Sequence, residues 1–362
     1  MKYGNKKVLE LLLRSGADPN LANKKSETPL HLIAKGIYME DDIVKIFFMT
    51  IDDIQQRLLI DALDGRSQTP LFWAVTYWNK KAVELLLKRG ASPNLGDADG
   101  FAPLHILCCS NWDLVENFLK MNAEIGQTVN INIQTTAGNT PLHLAVSLGN
   151  EKVVELLLRQ GADPNLANND GDTALHLICK RYGDNDLMKI LFEVCDQLKK
   201  KVQVDVRDQL GNTPLHWALF HGQKKEVEFL LKRGANPNAC NSELVTPLHR
   251  IALRGMDDNL AEVFFAILVD LQLTVDIDAQ DVFNNTPLHL ALEHKHKQMS
   301  ETLLRRGADP CVADEDGSTA LHIICKGDDV NGLAKMFIKV LQQVRPIVHV
   351  DTQDNEGNTP LH

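Results

Sequence analysis

Hydrophobic and polar positions recur in blocks along this chain. A short apolar stretch opens at a Thr-Pro-Leu-His tetrapeptide, a second apolar run follows, and a polar loop leads to the next tetrapeptide. In the second run at residues 153–158, Val-Val-Glu-Leu-Leu-Leu, apolar positions cover more than one face. Such coverage is typical of a helix packed between two neighbours. The pattern therefore predicts helix pairs in tandem.

The tetrapeptide is itself a helix start. Thr is a good N-cap, and Pro fits the first helical position because its φ is already helical and its missing N–H is not needed there. Repetition of one unit along a chain is the signature of a solenoid, in which each unit touches only its neighbours. Exact or near copies begin at Thr28, Thr69, Ala102, Thr140, Thr173, Thr213, Thr246, Thr286, Thr319 and Thr359.

A His closes nearly every copy of the tetrapeptide. One turn into the helix, its ring can reach the Thr hydroxyl or a neighbouring loop backbone. We interpret this His slot as a structural strut, because Phe72 replaces the His once, which a catalytic role would hardly tolerate. Nine of the thirteen His occupy the slot: His31, His105, His143, His176, His216, His249, His289, His322 and His362.

The loops complete a family signature. Gly161 is placed to end a helix in the left-handed conformation, and Gly-Ala-Asp-Pro-Asn at 161–165 leads to a polar tip. Helix, turn, helix and then Asp-x-x-Gly-x-Thr-Pro-Leu-His resembles the ankyrin repeat, whose signature is Thr-Pro-Leu-His at a 33-residue period. The resemblance covers essentially the whole chain. It implies an all-α solenoid of helix-turn-helix units with finger loops, elongated and curved.

The spacing between anchors alternates. It is 33 residues from Thr140 to Thr173 and 40 from Thr173 to Thr213, and other long spacings range from 38 to 41. The long repeats lack the Gly-Ala-Asp-Pro loop. We predict that their extra residues lengthen the second helix, for example over 186–200, and form an extended segment such as Val-Asp-Val at 204–206. The fingers should stay in register, since their tips keep the same sequence.

The repeat boundaries predict one ankyrin-repeat domain over residues 1–362. Residues 1–27 read as a partial N-terminal repeat, 28–358 as nine full repeats, and 359–362 as the start of a truncated one. We therefore expect a fragment of a longer protein.

Composition limits the class of partner and the cellular location that can be expected. The net charge of −10 and the pI of about 5.7 argue against nucleic acid or an anionic membrane as the main partner. The seven Cys form no CxxC pair, which favours reduced thiols and an intracellular, cytoplasmic location. The most apolar stretch, 260–275, is too short to cross a bilayer, so no membrane insertion is expected.

No chemistry-bearing motif emerges. His294 and His296 lie two residues apart and would not face each other on a helix, so they do not suggest a metal site. We find no phosphate loop, no HExxH and no nucleophile with partners at a telling spacing. The sequence predicts no catalytic residue, no metal and no cofactor.

In the ankyrin family, finger tips and the inner ends of first helices form the concave binding face. Among the matching positions, Leu244 and Val245 are also apolar where solvent is expected, whereas Trp73 and Trp217 read as core. Exposed aromatic residues are typical interface anchors. Transferred position by position, the candidate partner-binding residues are Tyr77, Trp78, Asp99, Phe101, Leu210, Asn212, Phe220, His221, Phe283 and Asn285.

The leading hypothesis is an intracellular, monomeric scaffold that binds a protein partner and has no catalysis of its own. On this hypothesis, Phe101→Ala or Phe283→Ala should weaken binding without lowering the melting temperature. The alternatives are the targeting arm of a larger enzyme or secreted effector, and the cytoplasmic arm of a channel.

Overall fold

The computed structural model describes residues 6–36, 42–109, 112–181, 183, 186–254, 259–327, 332–344 and 349–362. This described part contains nineteen α-helices and no strand, which confirms the all-α prediction. The first helix of each pair is α2 (Pro29–Lys35), α4 (Pro70–Thr76), α6 (Pro103–Cys108), α8 (Pro141–Leu148), α10 (Ala174–Lys180), α12 (Pro214–His221), α14 (Pro247–Arg254), α16 (Pro287–Glu293) or α18 (Ala320–Lys326). The second helices are α1 (Lys6–Arg14), α3 (Ile43–Asp53), α5 (Lys80–Lys88), α7 (Trp112–Glu124), α9 (Glu151–Arg159), α11 (Leu187–Gln197), α13 (Lys224–Lys232), α15 (Leu260–Asp270) and α17 (Lys297–Arg305), with α19 (Leu333–Val344) last.

Contacts group the chain into two compact units. Unit 1 comprises residues 1–169 and 185–201, and unit 2 comprises 170–184 and 202–362. Within each unit, first helices contact first helices of the adjacent repeats and second helices contact second helices. The single-domain assignment and its repeat boundaries stay predictions.

The first helices begin as the tetrapeptide predicts. Thr140 has an extended backbone, with φ −86° and ψ 166°, and its hydroxyl oxygen accepts from the His143 N–H at 3.4 Å. Pro141 takes the first helical position. Small side chains behind the anchor, such as Ala145 and Cys179, are wholly buried. Each repeat can therefore pack closely against its neighbour.

The second helices of the long repeats are longer, as predicted. Those of the short repeats, α5, α9, α13 and α17, have 9 residues each. Those of the long repeats, α3, α7, α11, α15 and α19, have 11 to 13. The predicted span 186–200 is too long, however. Helix α11 ends at Gln197, and Lys199 takes a left-handed φ of 55° that starts the loop.

The remaining extra residues are tied to the short-repeat loops by side-chain clamps. Asn238 donates through Nδ2 to the Thr274 carbonyl at 2.9 Å and accepts through Oδ1 from the Asp276 N–H at 2.8 Å. Asp205, in the Val-Asp-Val segment, accepts from the Asn236 N–H at 3.0 Å. In unit 1, Asn94 clamps residues 128–130 in the same way. The prediction of an extended Val-Asp-Val segment is wrong, because the backbone bends at residues 204 and 205. Side-chain hydrogen bonds fasten these segments to the neighbouring loops.

Fingers are joined by backbone hydrogen bonds, one from each finger to the preceding one. Gly171, with φ +78°, allows this approach, because a Cβ there would lie 2.7 Å from the Gln209 nitrogen. These bonds confirm that the fingers stay in register despite the alternating repeat length. In unit 1 they link Gly65 to Lys25, Ala98 to Arg66, Thr136 to Asp99 and Asn169 to Ala137; in unit 2, Gln209 to Asp170, Ser242 to Leu210, Val282 to Glu243, Glu315 to Phe283 and Asn355 to Asp316.

Candidate partner-binding surface

The His slot is a hydrogen-bonded strut. In His216, Nδ1 accepts from the Thr213 N–H at 3.1 Å, and Nε2 lies 2.9 Å from the Val245 carbonyl oxygen of the next repeat. A backbone N–H can only donate and a carbonyl can only accept. Nδ1 is therefore unprotonated and Nε2 carries the hydrogen. The slot has no free nitrogen for chemistry.

Other slots repeat this geometry. The Nε2–carbonyl distances are 3.0 Å for His31 to Gln68, His105 to Asn139, His249 to Asn285 and His289 to Val312, and 3.1 Å for His176 to Asn212 and His322 to Asn358.

Burial favours the neutral form of the ring in His216 and in five other slots. Removal from water disfavours the imidazolium form, and burial is the main cause that lowers the pKa of His216 to about 4. Burial likewise lowers the pKa of His31, His105, His176, His249 and His289. Phe72 in the same slot is buried, and its N–H donates to the Thr69 hydroxyl at 3.1 Å.

The described residues contain no group of three or more His, Cys, Asp and Glu side chains that could hold a metal ion. Across the same residues, no helix is both long enough and apolar enough to span a bilayer.

In unit 1, Tyr77 and Trp78 lie at the end of α4 and are 41% and 46% exposed. The Lys35 ammonium lies 4.8 Å from the Tyr77 ring centre and 4.9 Å from that of buried Trp73. This is a cation–π arrangement, which can hold an aromatic surface in place.

On the fingers of unit 1, Asp99 is exposed but Phe101 is half-buried. The Phe101 ring meets the His105 ring edge-on, 5.7 Å between centres. Phe101 therefore contributes to packing, and the expectation that its removal leaves stability unchanged is not supported by this contact.

In unit 2, Leu210, Phe220 and Phe283 are 63%, 45% and 55% exposed, in agreement with the sequence analysis. His221 is half-buried, stacked at 6.1 Å on Trp217. Trp217 itself is half-buried rather than fully enclosed.

Two finger positions were placed wrongly at the surface. Asn212 is 1% exposed and Val245 is 6% exposed. The Asn212 side-chain oxygen accepts from Asn241 and from Arg250, each at 3.0 Å, and its carbonyl accepts from His176. These bonds bury it between fingers. Asn285 is half-buried. Its carbonyl accepts a hydrogen bond from the His249 ring, and its backbone N–H donates to the Asp281 carboxylate.

Sequence reasoning missed the cations of this surface. Lys180 lies 4.4 Å from the Trp217 ring centre and pairs with Asp172 at 2.6 Å. Arg250 lies 6.0 Å from the Phe220 ring centre. A signal was available: Arg250 follows the His slot directly, at the position that Trp217 holds one repeat earlier.

Tandem helix pairs, hydrogen-bonded fingers and a recurring His-bearing turn define a helical repeat protein. A family model described as "Ankyrin repeats (3 copies)" matches residues 1–97, 81–168, 153–241 and 227–314. The chain therefore belongs to the ankyrin repeat family. Repeats of this family are non-catalytic modules that generally mediate protein–protein interaction.

The chain is similar to parts of two longer curated proteins. The chain is 27% identical over 344 residues to "Transient receptor potential cation channel subfamily A member 1" of Homo sapiens. The match covers 84% of this chain and 29% of that protein. It is 27% identical over 272 residues to "Nuclear factor NF-kappa-B p105 subunit" of Gallus gallus, covering 75% and 26%. The chain spans less than a third of the length of either relative.

Among solved structures, the ankyrin repeat domain of Bcl-3 superposes on this chain with a TM-score of 0.54. Bcl-3 is described as a unique member of the IkappaB protein family. The identity is 26%, and the match covers 67% of this chain and 99% of that one. This agreement confirms the ankyrin fold.

Proposed function

We propose that this chain is an intracellular protein-binding scaffold with no catalysis of its own. The binding surface of each unit, here called its finger face, consists of finger tips and the C-terminal ends of first helices. The observation that carries the proposal is the recurrence of exposed apolar side chains on these faces, at Tyr77 in unit 1 and at Leu210, Phe220 and Phe283 in unit 2.

Rigid display is the mechanism that this surface supports. Backbone bonds between fingers fix the tips before any partner arrives, so little conformational entropy remains to be lost on binding. Large apolar side chains in fixed positions can then act as anchors.

Affinity purification on the immobilised 362-residue chain tests the proposal. We expect specific proteins to be retained, and Leu210→Ala with Phe283→Ala to reduce their retention without lowering the melting temperature. Val269→Ala is the matched control, because it removes a 65% exposed apolar side chain from second helix α15, off the finger face. Equal loss of retention for both variants, or no retained protein at all, would contradict the proposal.

Phe101→Ala serves as a second control in the same assay. Its ring packs on His105, so its removal should lower the melting temperature.

A second candidate function is favoured by the length of the relatives. Because the chain spans 29% and 26% of the two curated proteins, it is also suited to be the recognition arm of a longer polypeptide, such as an enzyme, a secreted effector or a channel. The reading frame of the full transcript decides this: catalytic motifs or membrane spans in the same frame would support it.

A further inference from the structure

The finger face of unit 2 has a basic strip. The helices α10, α12 and α14 together carry no Asp or Glu, although the whole chain has a net charge of −10. Cationic side chains lie instead at and just beyond the C-terminal end of α10, and at the fourth and last residues of α14. We define the basic strip as Lys180, Arg181, Arg250 and Arg254.

Two of these cations are held in place by neighbours. Arg250 donates from Nη2 to the buried Asn212 side-chain oxygen at 3.0 Å while its guanidinium lies over the Phe220 ring. Lys180 is fixed between Trp217 and the carboxylates of Asp172 and Asp208, at 2.6 and 3.5 Å. Preorganised cations beside aromatic rings lose little side-chain entropy when a negative group docks.

Leu244, on a finger tip of the same unit, has a strained backbone conformation and an exposed side chain. Leu244 occupies the tip position that Gly171 and Gly211 hold in other fingers, and it keeps their left-handed backbone with φ +58°. A bulky residue in this region is an outlier that costs free energy. Leu244 is nevertheless 49% exposed, so burial does not account for it. Exposed Leu210 and Phe283 occupy the neighbouring finger tips on either side.

We propose that the basic strip and the apolar tips of Leu210, Leu244 and Phe283 form one docking site for an extended, acidic segment of a partner protein that carries apolar anchor residues. The carboxylates of such a segment meet the arginines of the strip, since Lys180 already pairs with Asp172 and Asp208. The apolar side chains of the segment meet the tips. The inference rests on the proposed function and specifies its partner chemistry.

Carboxylates flank the Phe283 side of the site. A depression between α16 and α18 is lined by Phe283 itself together with Glu293, Asp314, Glu315 and Asp316, and with Lys295 and Lys326. These carboxylates repel an acidic group, so the acidic residues of a docked segment lie toward the strip and an apolar residue lies at Phe283.

Nucleic acid is the rival ligand for cations placed beside aromatic rings. Two of the three tips, Leu210 and Leu244, argue against it, because leucine side chains offer neither charge to phosphates nor a flat ring to bases.

Panning of a random peptide library on phage against the full chain tests the site. We expect enriched peptides to combine Asp or Glu with Leu, Phe or Trp, and their binding to weaken as salt is raised. Arg250→Gln with Arg254→Gln should lower the affinity of a labelled enriched peptide about tenfold, whereas Glu315→Gln with Asp316→Asn, which removes two carboxylates beside Phe283, should not lower it.

Leu244→Gly separates the contribution of the Leu244 side chain to peptide binding from its contribution to stability. Relief of the left-handed strain should leave the melting temperature equal or higher, while loss of the apolar tip should lower peptide affinity about tenfold. A stabilised variant that binds as tightly as wild type would overturn the role of Leu244.

The remaining outcomes are distinguishable. Enriched peptides without acidic residues, or equal affinity after the Arg substitutions, would overturn the inference while the scaffold function stands. Arg250-dependent binding of a labelled single-stranded RNA without any acidic peptide enriched would overturn it in favour of nucleic acid. Failure of the wild-type chain to retain any protein or peptide would overturn the proposed function as well.

Discussion

At the scale of single residues, the slot histidines link stability to pH. His216 is neutral and buried, with a pKa lowered from its ordinary value of 6.5 to about 4, mainly by burial. The unfolded chain therefore binds a proton in the window between these values that the folded chain does not. Stability contributed by the neutral ring is present above pH 6.5 and is lost as the pH falls toward 4.

His216→Phe should reduce this acid sensitivity. Phe72 shows that the slot accepts the ring, but the bonds to Thr213 and Val245 are lost, so we expect about 1–2 kcal/mol less stability at pH 7. The acid-dependent loss should shrink by up to about 3 kcal/mol, since each pKa unit is worth about 1.4 kcal/mol. Urea unfolding at pH 7 and pH 4.5 measures both. Exposed His349→Phe is the control, and an unchanged pH dependence of His216→Phe would refute the linkage.

A buried amide offers a second test. Asn122 is fully buried in α7; its Nδ2 donates to the Phe118 carbonyl at 2.7 Å, but its Oδ1 has no partner. The equivalent third-last positions of α3, α11 and α15 hold Ile51, Cys195 and Leu268.

Asn122→Leu should raise the free energy of unfolding by about 1 kcal/mol, because it removes an unsatisfied buried acceptor. Chemical denaturation measures the change. Exposed Asn117→Leu on the same helix should give no such gain, and a destabilised Asn122→Leu would show that the amide is better tolerated than its geometry implies.

At the scale of elements, the alternating repeat length depends on the clamps between loops. Asn238→Ala removes two hydrogen bonds to the segment at 274–276, and we expect a loss of about 1–2 kcal/mol. Thr274→Ala is the matched control, because it keeps the carbonyl that accepts from Asn238. Equal unfolding midpoints for the two variants would argue that the clamp adds nothing to stability.

At the scale of the whole molecule, stability should be spread among neighbouring repeats. Leu157 is wholly buried in α9, which contacts α7, α8 and α11. Leu157→Lys places a charge in that interface and should cost more than about 3 kcal/mol locally. Hydrogen exchange followed by mass spectrometry should show faster exchange in α7–α9 and α11 than in α15–α19. Uniform acceleration in all helices would indicate fully cooperative unfolding instead.

Much of the fold could be predicted because its signals are local. Five of the nine first helices start with a Thr, a Pro and a His within four residues, and in α8 these residues take the positions that the sequence indicated. The end of α11 could not be placed, since the left-handed turn at Lys199 carries no glycine to mark it.

The candidate surface was predicted less well, for a physical reason. The sequence by itself determined the repeat class, the helix starts, the strut role of the histidines and the register of the fingers. The tertiary structure alone decided that Leu210 is exposed while Asn212, two residues away, is buried, and that Arg250 is held over Phe220. Exposure and charge placement depend on groups that the adjacent repeat supplies some thirty to forty positions along the chain, as Asn212 and Arg250 illustrate.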